Sequence, residues 1–293
     1  MSKNIAIITD SSFNLSEDDI KNYGIYTVPV PLIFHGRVRY SSDWSNPAKF
    51  FKEMNSAKEL PTTSQPSPAD VISVFDQVKK AGYRQAIFLC LSAGISGFYN
   101  SLLNLAGDYQ GLDVTVWDSK STLRVAGAQA LLAAELSAQG KNLDQIIEKL
   151  TILRDSTNIY LIVDDINHLK RTGRLAGGAA LVAGLLNIKP ILHFDDQGKI
   201  VAVAKERQMR RVFRWLLKKF ESQRADFDQP IRIMFADANN RELTEEWRKE
   251  FSQKYPDLTI EMISIDPMIG VHTGEKAVGF VYMDDWKALA KAE

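Results

Sequence analysis

The sequence predicts an α/β protein of two domains: a parallel sheet with helices on both faces in the first half, and a mixed α/β second half. Three observations carry this. Up to about residue 156, short apolar runs alternate with stretches of helical spacing, the rhythm of a parallel sheet built by crossovers. Near residue 156 the rhythm changes, and two short strand-like runs are joined by a tight polar turn at 195–198. The length, 293 residues, suits two domains of ordinary size, placed at 1–156 and 157–293.

The elements follow in order. Residues 5–9 form a strand ended by Asp10, Ser11 and Ser12, and the acidic cluster at 16–19 opens a helix that closes near Gly24. Residues 25–34 read as the next strand, with Pro29 and Pro31 placing it at an edge or a bend, and His35 and Gly36 turn the chain into 37–40. A short helix carries Phe50, Phe51 and Met54, and a longer one runs from Pro68 to Lys80, capped by Ser67 and closed by Gly82. Residues 86–90 are a wholly apolar strand. They lead through a small, polar turn into a helix marked by Phe98, Leu102, Leu103 and Leu105. A strand at 115–117, a polar turn at 118–122, and helices over 123–139 and 142–157 complete the first half.

The second half begins with a strand at 159–163, a basic turn at 168–174 and an Ala, Gly and Leu helix at 176–187. Strands at 190–194 and 199–204 precede a basic helix at 209–220. A strand at 231–236, a helix at 242–254 and strands at 259–265 and 277–283 finish the chain.

Bulk properties exclude several functions. Lys plus Arg and Asp plus Glu both number 36, so no global field recruits nucleic acid. Cys90 is the single cysteine, which rules out a disulfide framework and a cysteine metal site and fits a reducing compartment. The least polar stretch, 175–192, is interrupted by Asn187, Lys189 and Pro190 and falls short of the roughly 20 apolar residues of a spanning helix. The N-terminal residues run directly into a strand without a signal-peptide core. A cytoplasmic protein is expected. The four histidines, His35, His168, His193 and His272, share no metal-ligand spacing. Neither a phosphate loop nor a G-x-G-x-x-G string is present, and the glycines around Ser96 are at the wrong offset for a nucleophile elbow.

Three features remain. Ser96 and Gly97 stand where the N-terminus of a helix meets the carboxyl end of a strand, a place where backbone N–H groups and the helix dipole suit an anion. Taken alone, Ser96 reads as a cap of its own helix. Thr62, Thr63 and Ser64, followed by Gln65, are three hydroxyls in a segment kept extended by flanking prolines, and alone they too read as helix-capping loop. Two basic strings, 170–174 and 205–207, and His272 read singly as solvated surface.

Together, the strings ITDSSFNL, PTTSQPSP, LSAGISGFYNS, VWDSKS, LKRTGRLAGGAALVAGLLNIKPIL and HTGEKAVGF, in this order, resemble the DegV family. That family includes the fatty-acid-binding, FakB-type subunits that present an acyl chain to a separate fatty acid kinase. The resemblance implies a two-domain α/β fold with a ligand tunnel between the domains and a long-chain fatty acid such as palmitate as ligand, with no other cofactor. It implies that Thr63 and Ser96 hydrogen-bond the carboxylate, with Ser64 and Thr62 as lesser candidates. It also implies that Arg174, Arg207 and His272 lie near the head group, the phosphate and the partner. The partners are then a fatty acid and a fatty acid kinase catalytic subunit, with transient membrane contact and no nucleic acid. The 176–187 helix and Phe98, Phe194 and Phe280 are candidate tunnel lining. The usual H-T-G-P-G is here His272-Thr273-Gly274-Glu275-Lys276, which alters the rigidity and charge of that loop. The leading expectation is a binding subunit with no catalysis of its own. Two rivals are a serine hydrolase or acyltransferase using Ser96 with His272 as base, and a lipid store or sensor without a kinase.

Overall fold

Every residue of the first strand, β1 (Ala6–Asp10), is buried, as expected of a parallel strand covered on both faces. Residues 5–177 and 188–292 are described, in a computed structural model. Most of the helix expected at 176–187 therefore lies outside the described residues. Helix α1 (Glu17–Tyr23) starts on a capping box between Ser16 and Asp19 and stops at Gly24, which has φ +61°.

The strand expected over 25–34 is two strands, β2 (Tyr26–Val28) and β3 (Leu32–Phe34). Pro29 and Pro31 have no N–H to give to a ladder, so pairing stops between them. β3 pairs antiparallel with β4 (Arg37–Arg39) around His35 and Gly36, both at positive φ. Helix α2 (Pro47–Ser56) is capped by Asn46 and starts on proline, and β5 (Thr62–Thr63) is a two-residue strand. Helix α3 (Pro68–Lys80) repeats that start with Ser67 and Pro68. Then come β6 (Gln85–Cys90), α4 (Phe98–Asp108), β7 (Asp113–Asp118), α5 (Leu123–Ala138) and α6 (Leu143–Asp155).

Next are β8 (Asn158–Ile162) and α7 (Asn167–Arg171), the latter a short helix inside the stretch expected to be a turn. After β9 (Lys189–Phe194), β10 (Ile200–Glu206), α8 (Met209–Gln223), β11 (Ile231–Asp237), α9 (Arg241–Lys254) and β12 (Thr259–Ser264), an unexpected helix appears, α10 (Pro267–Thr273). Asp266 caps it by accepting the Ile269 N–H, and Pro267 opens it. The described chain closes with β13 (Val278–Asp284) and α11 (Trp286–Leu289).

Contacts divide the chain into two units. The first is Met1–Pro31, Thr63–Asp155 and Trp286–Glu293; the second is Leu32–Thr62 and Ser156–Asp285. The chain thus passes between units at four points, where the sequence reading expected one crossing near residue 156. Helix α2 belongs with the second unit because Phe50 and Phe51 pack on α10. There a Cβ on Gly270 would come within 2.8 Å of the Phe51 ring.

The first unit is a four-stranded, all-parallel sheet in the order β2-β1-β6-β7. On one face Ala6, Ile8, Ala86, Phe88 and Cys90 meet Val71, Val74 and Phe75 of α3 and Phe98 and Leu102 of α4. The alternate residues, such as Ile7 and Ile87, point to the other face, where α5 packs. The second unit is a mixed sheet in the order β10-β9-β8-β13-β11-β12, antiparallel except for the β11–β12 pair. Its core is aromatic: Phe213 stacks on Trp247 at 5.0 Å, and Phe235, Phe251, Phe280 and Tyr282 fill the space beneath α8 and α9. Phe98 and Phe280, named above as candidate lining, are each buried in the core of their own unit. Among the described residues, no helix is long and apolar enough to cross a membrane.

Candidate functional site

Three parallel strands of the first unit end side by side: β1 on Asp10, β7 on Asp118, and β6 between them on Cys90, two residues before Ser92. The chain leaving β6 turns over residues 91–97 before entering α4, and neighbouring strand ends hold that turn. The Leu91 N–H donates to Asp10 Oδ2 at 3.3 Å, the Ala93 N–H to Asp118 Oδ1 at 3.0 Å, and the Ser92 N–H to the Ser121 carbonyl at 2.9 Å. Within the turn, the Gly94 N–H donates to Ser92 Oγ and the Ser96 N–H to the Ser92 carbonyl, both at 3.1 Å.

Ser96 is half-buried, but it is not the N-cap that its position suggested. Gly97 occupies the cap without a side-chain bond, and Ser96 Oγ accepts the Phe98 N–H from one residue further back, at 3.2 Å. A hydroxyl that accepts one hydrogen bond still has its proton to donate. The amides of Tyr99 and Asn100, in the first turn of α4, have no intrahelical acceptor. The end of this helix therefore offers donors to an anion.

The hydroxyl-rich segment comes to the same helix. Gln65 Oε1 accepts a hydrogen bond from Ser101 Oγ in α4 at 3.2 Å, tying the loop to the first turns of the helix that Ser96 precedes. Ser64 is fixed twice: its N–H donates to the Pro31 carbonyl at 3.1 Å, and its hydroxyl to the Gln65 carbonyl at 3.3 Å. That second bond occupies the Ser64 proton locally. Thr63 is half-buried, Thr62 and Ser64 are exposed, and Thr62 falls at the end of a segment assigned to the second unit.

Burial pushes the Asp10 carboxyl up to about 6, against the lowering effect of its bonds to Ser12 and to the Leu91 amide. Cys90 lies buried beside it. Its thiol is pushed well up by burial and by the neighbouring Asp10 and Asp118 charges, so it is inert as a nucleophile.

The basic residues gather on the second unit. Helices α7 and α10 pack together and bring His168, Arg171, Arg174 and His272 into one cluster. His272 is driven down to about 3, first by burial and then by the positive charges of Arg174 and Arg171 and by His168. His168 is lowered as well, chiefly by burial. Gly274, at φ +73°, allows the close approach, since a Cβ there would sit 2.7 Å from His168 Cδ2. Both imidazoles are thus neutral near pH 7 and two guanidinium groups supply the charge, a combination that attracts an anion such as phosphate. Arg207 stands exposed just after β10 and is not among the charges acting on His272.

The departure at Glu275 and Lys276 is built into the structure. The Glu275 carboxylate accepts from Asn55 Nδ2 at 2.6 Å and from Asn239 Nδ2 at 2.5 Å, while the Lys276 N–H donates to the Ala238 carbonyl at 2.7 Å.

Sequence reading held Arg171 only within the basic string 170–174 and passed over Gln65 and His168 as candidates. The spacing of His168 and Arg171, three apart on a helix, was the available signal. Among the described residues, no group of His, Cys, Asp or Glu is arranged to hold a metal ion.

The family model described as "Uncharacterised protein, DegV family" matches residues 4–285. The chain belongs to the DegV family. A DegV domain-containing protein of Listeria monocytogenes is 34% identical over 285 residues, covering 96% of this chain and 99% of that protein. Two solved DegV structures share the fold. One, described as DegV, a fatty acid binding protein from Bacillus subtilis, has a TM-score of 0.87 and 30% identity, covering 97% of this chain and 100% of the other. The second, a fatty acid binding DegV family protein from Streptococcus agalactiae, has a TM-score of 0.87 and 29% identity, with 97% and 99% covered.

Proposed function

We propose that this DegV-family protein binds a long-chain fatty acid and presents its carboxylate to a separate ATP-dependent fatty acid kinase, which makes the acyl phosphate used in phospholipid synthesis. The observation that carries the reading is the likeness, over nearly the whole chain, to solved DegV proteins described as fatty acid binding. The carboxylate-binding residues are Thr63 and Ser96, with Ser64 and Thr62 in lesser roles. The bond from Ser101 to Gln65, which ties the two motifs to one helix, supports that assignment. Arg174 and His272, with Arg207, face the phosphate and the partner, and the two-guanidinium cluster around His272 supports this role. On this reading the protein works in the cytoplasm, where ATP is available, and exchanges its ligand through transient membrane contact.

The energetics suit the assignment. Each buried methylene contributes ~0.8 kcal/mol, so the tail dominates affinity. Hydrogen bonds to a charged carboxylate add about 1.5–3 kcal/mol each and determine which end of the lipid faces outward.

Hydrolysis by Ser96 with His272 as base is less well supported. A base at about 3 is a poor proton acceptor near neutrality. Native mass spectrometry of the purified protein tests the reading: an acyl adduct is expected, and absence of both an adduct and fluorescent fatty acid binding refutes it. Adding a fatty acid kinase and ATP separates carrier from store, since only a carrier supports lipid-dependent ATP consumption. Turnover of a p-nitrophenyl acyl ester with a covalent adduct on Ser96 would instead establish the hydrolase.

A further inference from the structure

We infer that Asp118, seconded by Asp10, is a positioning residue that sets the carboxylate-binding turn by accepting its backbone amides. The inference rests on the fatty acid reading above and deepens it. A carboxylate beside a site for an anion is electrostatically unfavourable, so its presence calls for a compensating role, and the geometry supplies one. Asp118 Oδ1 accepts two amides from two different turns, Ala93 N–H at 3.0 Å and Lys120 N–H at 2.9 Å. One oxygen atom therefore joins the 91–97 turn after β6 to the 118–122 turn after β7. That second turn holds Lys120 at φ +50°, and Leu123, the first residue of α5, follows at φ +55°.

Asp10 acts from the opposite side. It lies fully buried at the end of β1, with Oδ1 accepting the Ser12 N–H at 2.8 Å and Oδ2 the Leu91 N–H. The 91–97 turn is thus gripped near its start by side chains from both flanking strands, and the bond from the Ser96 N–H to the Ser92 carbonyl carries that constraint to Ser96. Neither aspartate needs to touch the ligand. Each acts through the backbone that places the Ser96 hydroxyl and the first amides of α4.

The role depends on acceptor geometry, not on charge, and this separates it from a plain electrostatic effect. Asn at 118 keeps the same Oδ1 acceptor; Glu keeps the charge but moves the acceptor out by one methylene; Ala removes it. The test titrates the full chain and its variants with a dansyl-labelled long-chain fatty acid and with the matching fatty alcohol, which lacks the anionic head. Asp118→Ala and Asp118→Glu are expected to weaken the acid about tenfold, in line with a lost charge-assisted hydrogen bond. The alcohol is expected to bind as to the parent chain, and Asp118→Asn to bind the acid at least as tightly as the parent. Equal weakening of both probes would reduce Asp118 to a structural residue and overturn the inference. Parent-like binding of the acid by Asp118→Glu would overturn it too, and that variant serves if Asp118→Ala fails to fold. A parent chain that binds neither probe fails the fatty acid reading itself. A parent that binds both, with variants that do not discriminate, fails only this inference.

Discussion

In the proposed site one hydroxyl would serve twice. The Ser96 oxygen accepts the Phe98 amide, and its proton can be given to a ligand carboxylate. Ser96→Ala removes both. It is expected to weaken fatty acid binding about tenfold, one charge-assisted hydrogen bond, while leaving the fatty alcohol unaffected in a fluorescence titration. Equal affinity of the variant for the acid would remove Ser96 from the site.

Asp10 leads to a pH-dependent prediction. Its folded carboxyl titrates near 6 against an ordinary 3.8, so between about pH 4 and 6 the folded chain binds a proton more tightly than the unfolded chain. Stability should therefore fall as pH rises through that window, and the penalty should be complete above 6, on the order of 3 kcal/mol. Asp10→Asn should flatten this slope in urea unfolding followed from pH 4 to 8; an unchanged slope would assign it to another group. Thr63, Ser96 and Arg174 were nameable as candidates only through the family resemblance of the strings that hold them. The contact of Gln65 with Ser101 was not, because it joins side chains 36 positions apart through tertiary packing.

At the level of elements, helices with caps were legible and short apolar ones were not. Ser67-Pro68 announces α3, and Ser16 with Asp19 announces α1. Asp266-Pro267 carries the same kind of signal for α10, yet that helix has only 7 residues and is buried along most of its length, so no amphipathic stripe drew attention to it. The proline-interrupted strand shows the converse: apolar residues run from 25 to 34, but two missing donors divide the pairing. Close packing also reverses a propensity rule in α5. Ala normally favours a helix interior over Gly by roughly 1 kcal/mol. A Cβ on Gly127, however, would lie 2.6 Å from the backbone carbonyl oxygen of Phe13. Gly127→Ala should accordingly destabilise the protein by about 1–3 kcal/mol in chemical denaturation, and a stabilised variant would mean that the 11–13 turn yields easily.

For the whole molecule, the rhythm of the sequence conveyed the α/β class and the contrast between a parallel and a mixed sheet. It did not convey which sheet recruits residues 32–62 or 286–289, because local patterning does not encode a tertiary partner. Phe50 and Phe51 meet α10, and α11 meets α5 and α6. Trp286 packs edge-on against Tyr23 at 6.1 Å, and Gln139 Nε2 donates to the Ala290 carbonyl at 3.1 Å. Trp286→Ala should cost about 3–5 kcal/mol and speed hydrogen exchange in β1 and α5 before it affects β11 or β13. Uniform acceleration across both sheets would show that the units unfold as one.

The return of α11 to the first unit also bears on how the chain is born. As residues leave the ribosome, all of the second unit emerges before the helix that packs on α5. The half that begins synthesis is therefore the last to be sealed, and a fragment ending near residue 156 should expose a greasy helix face for want of its cover.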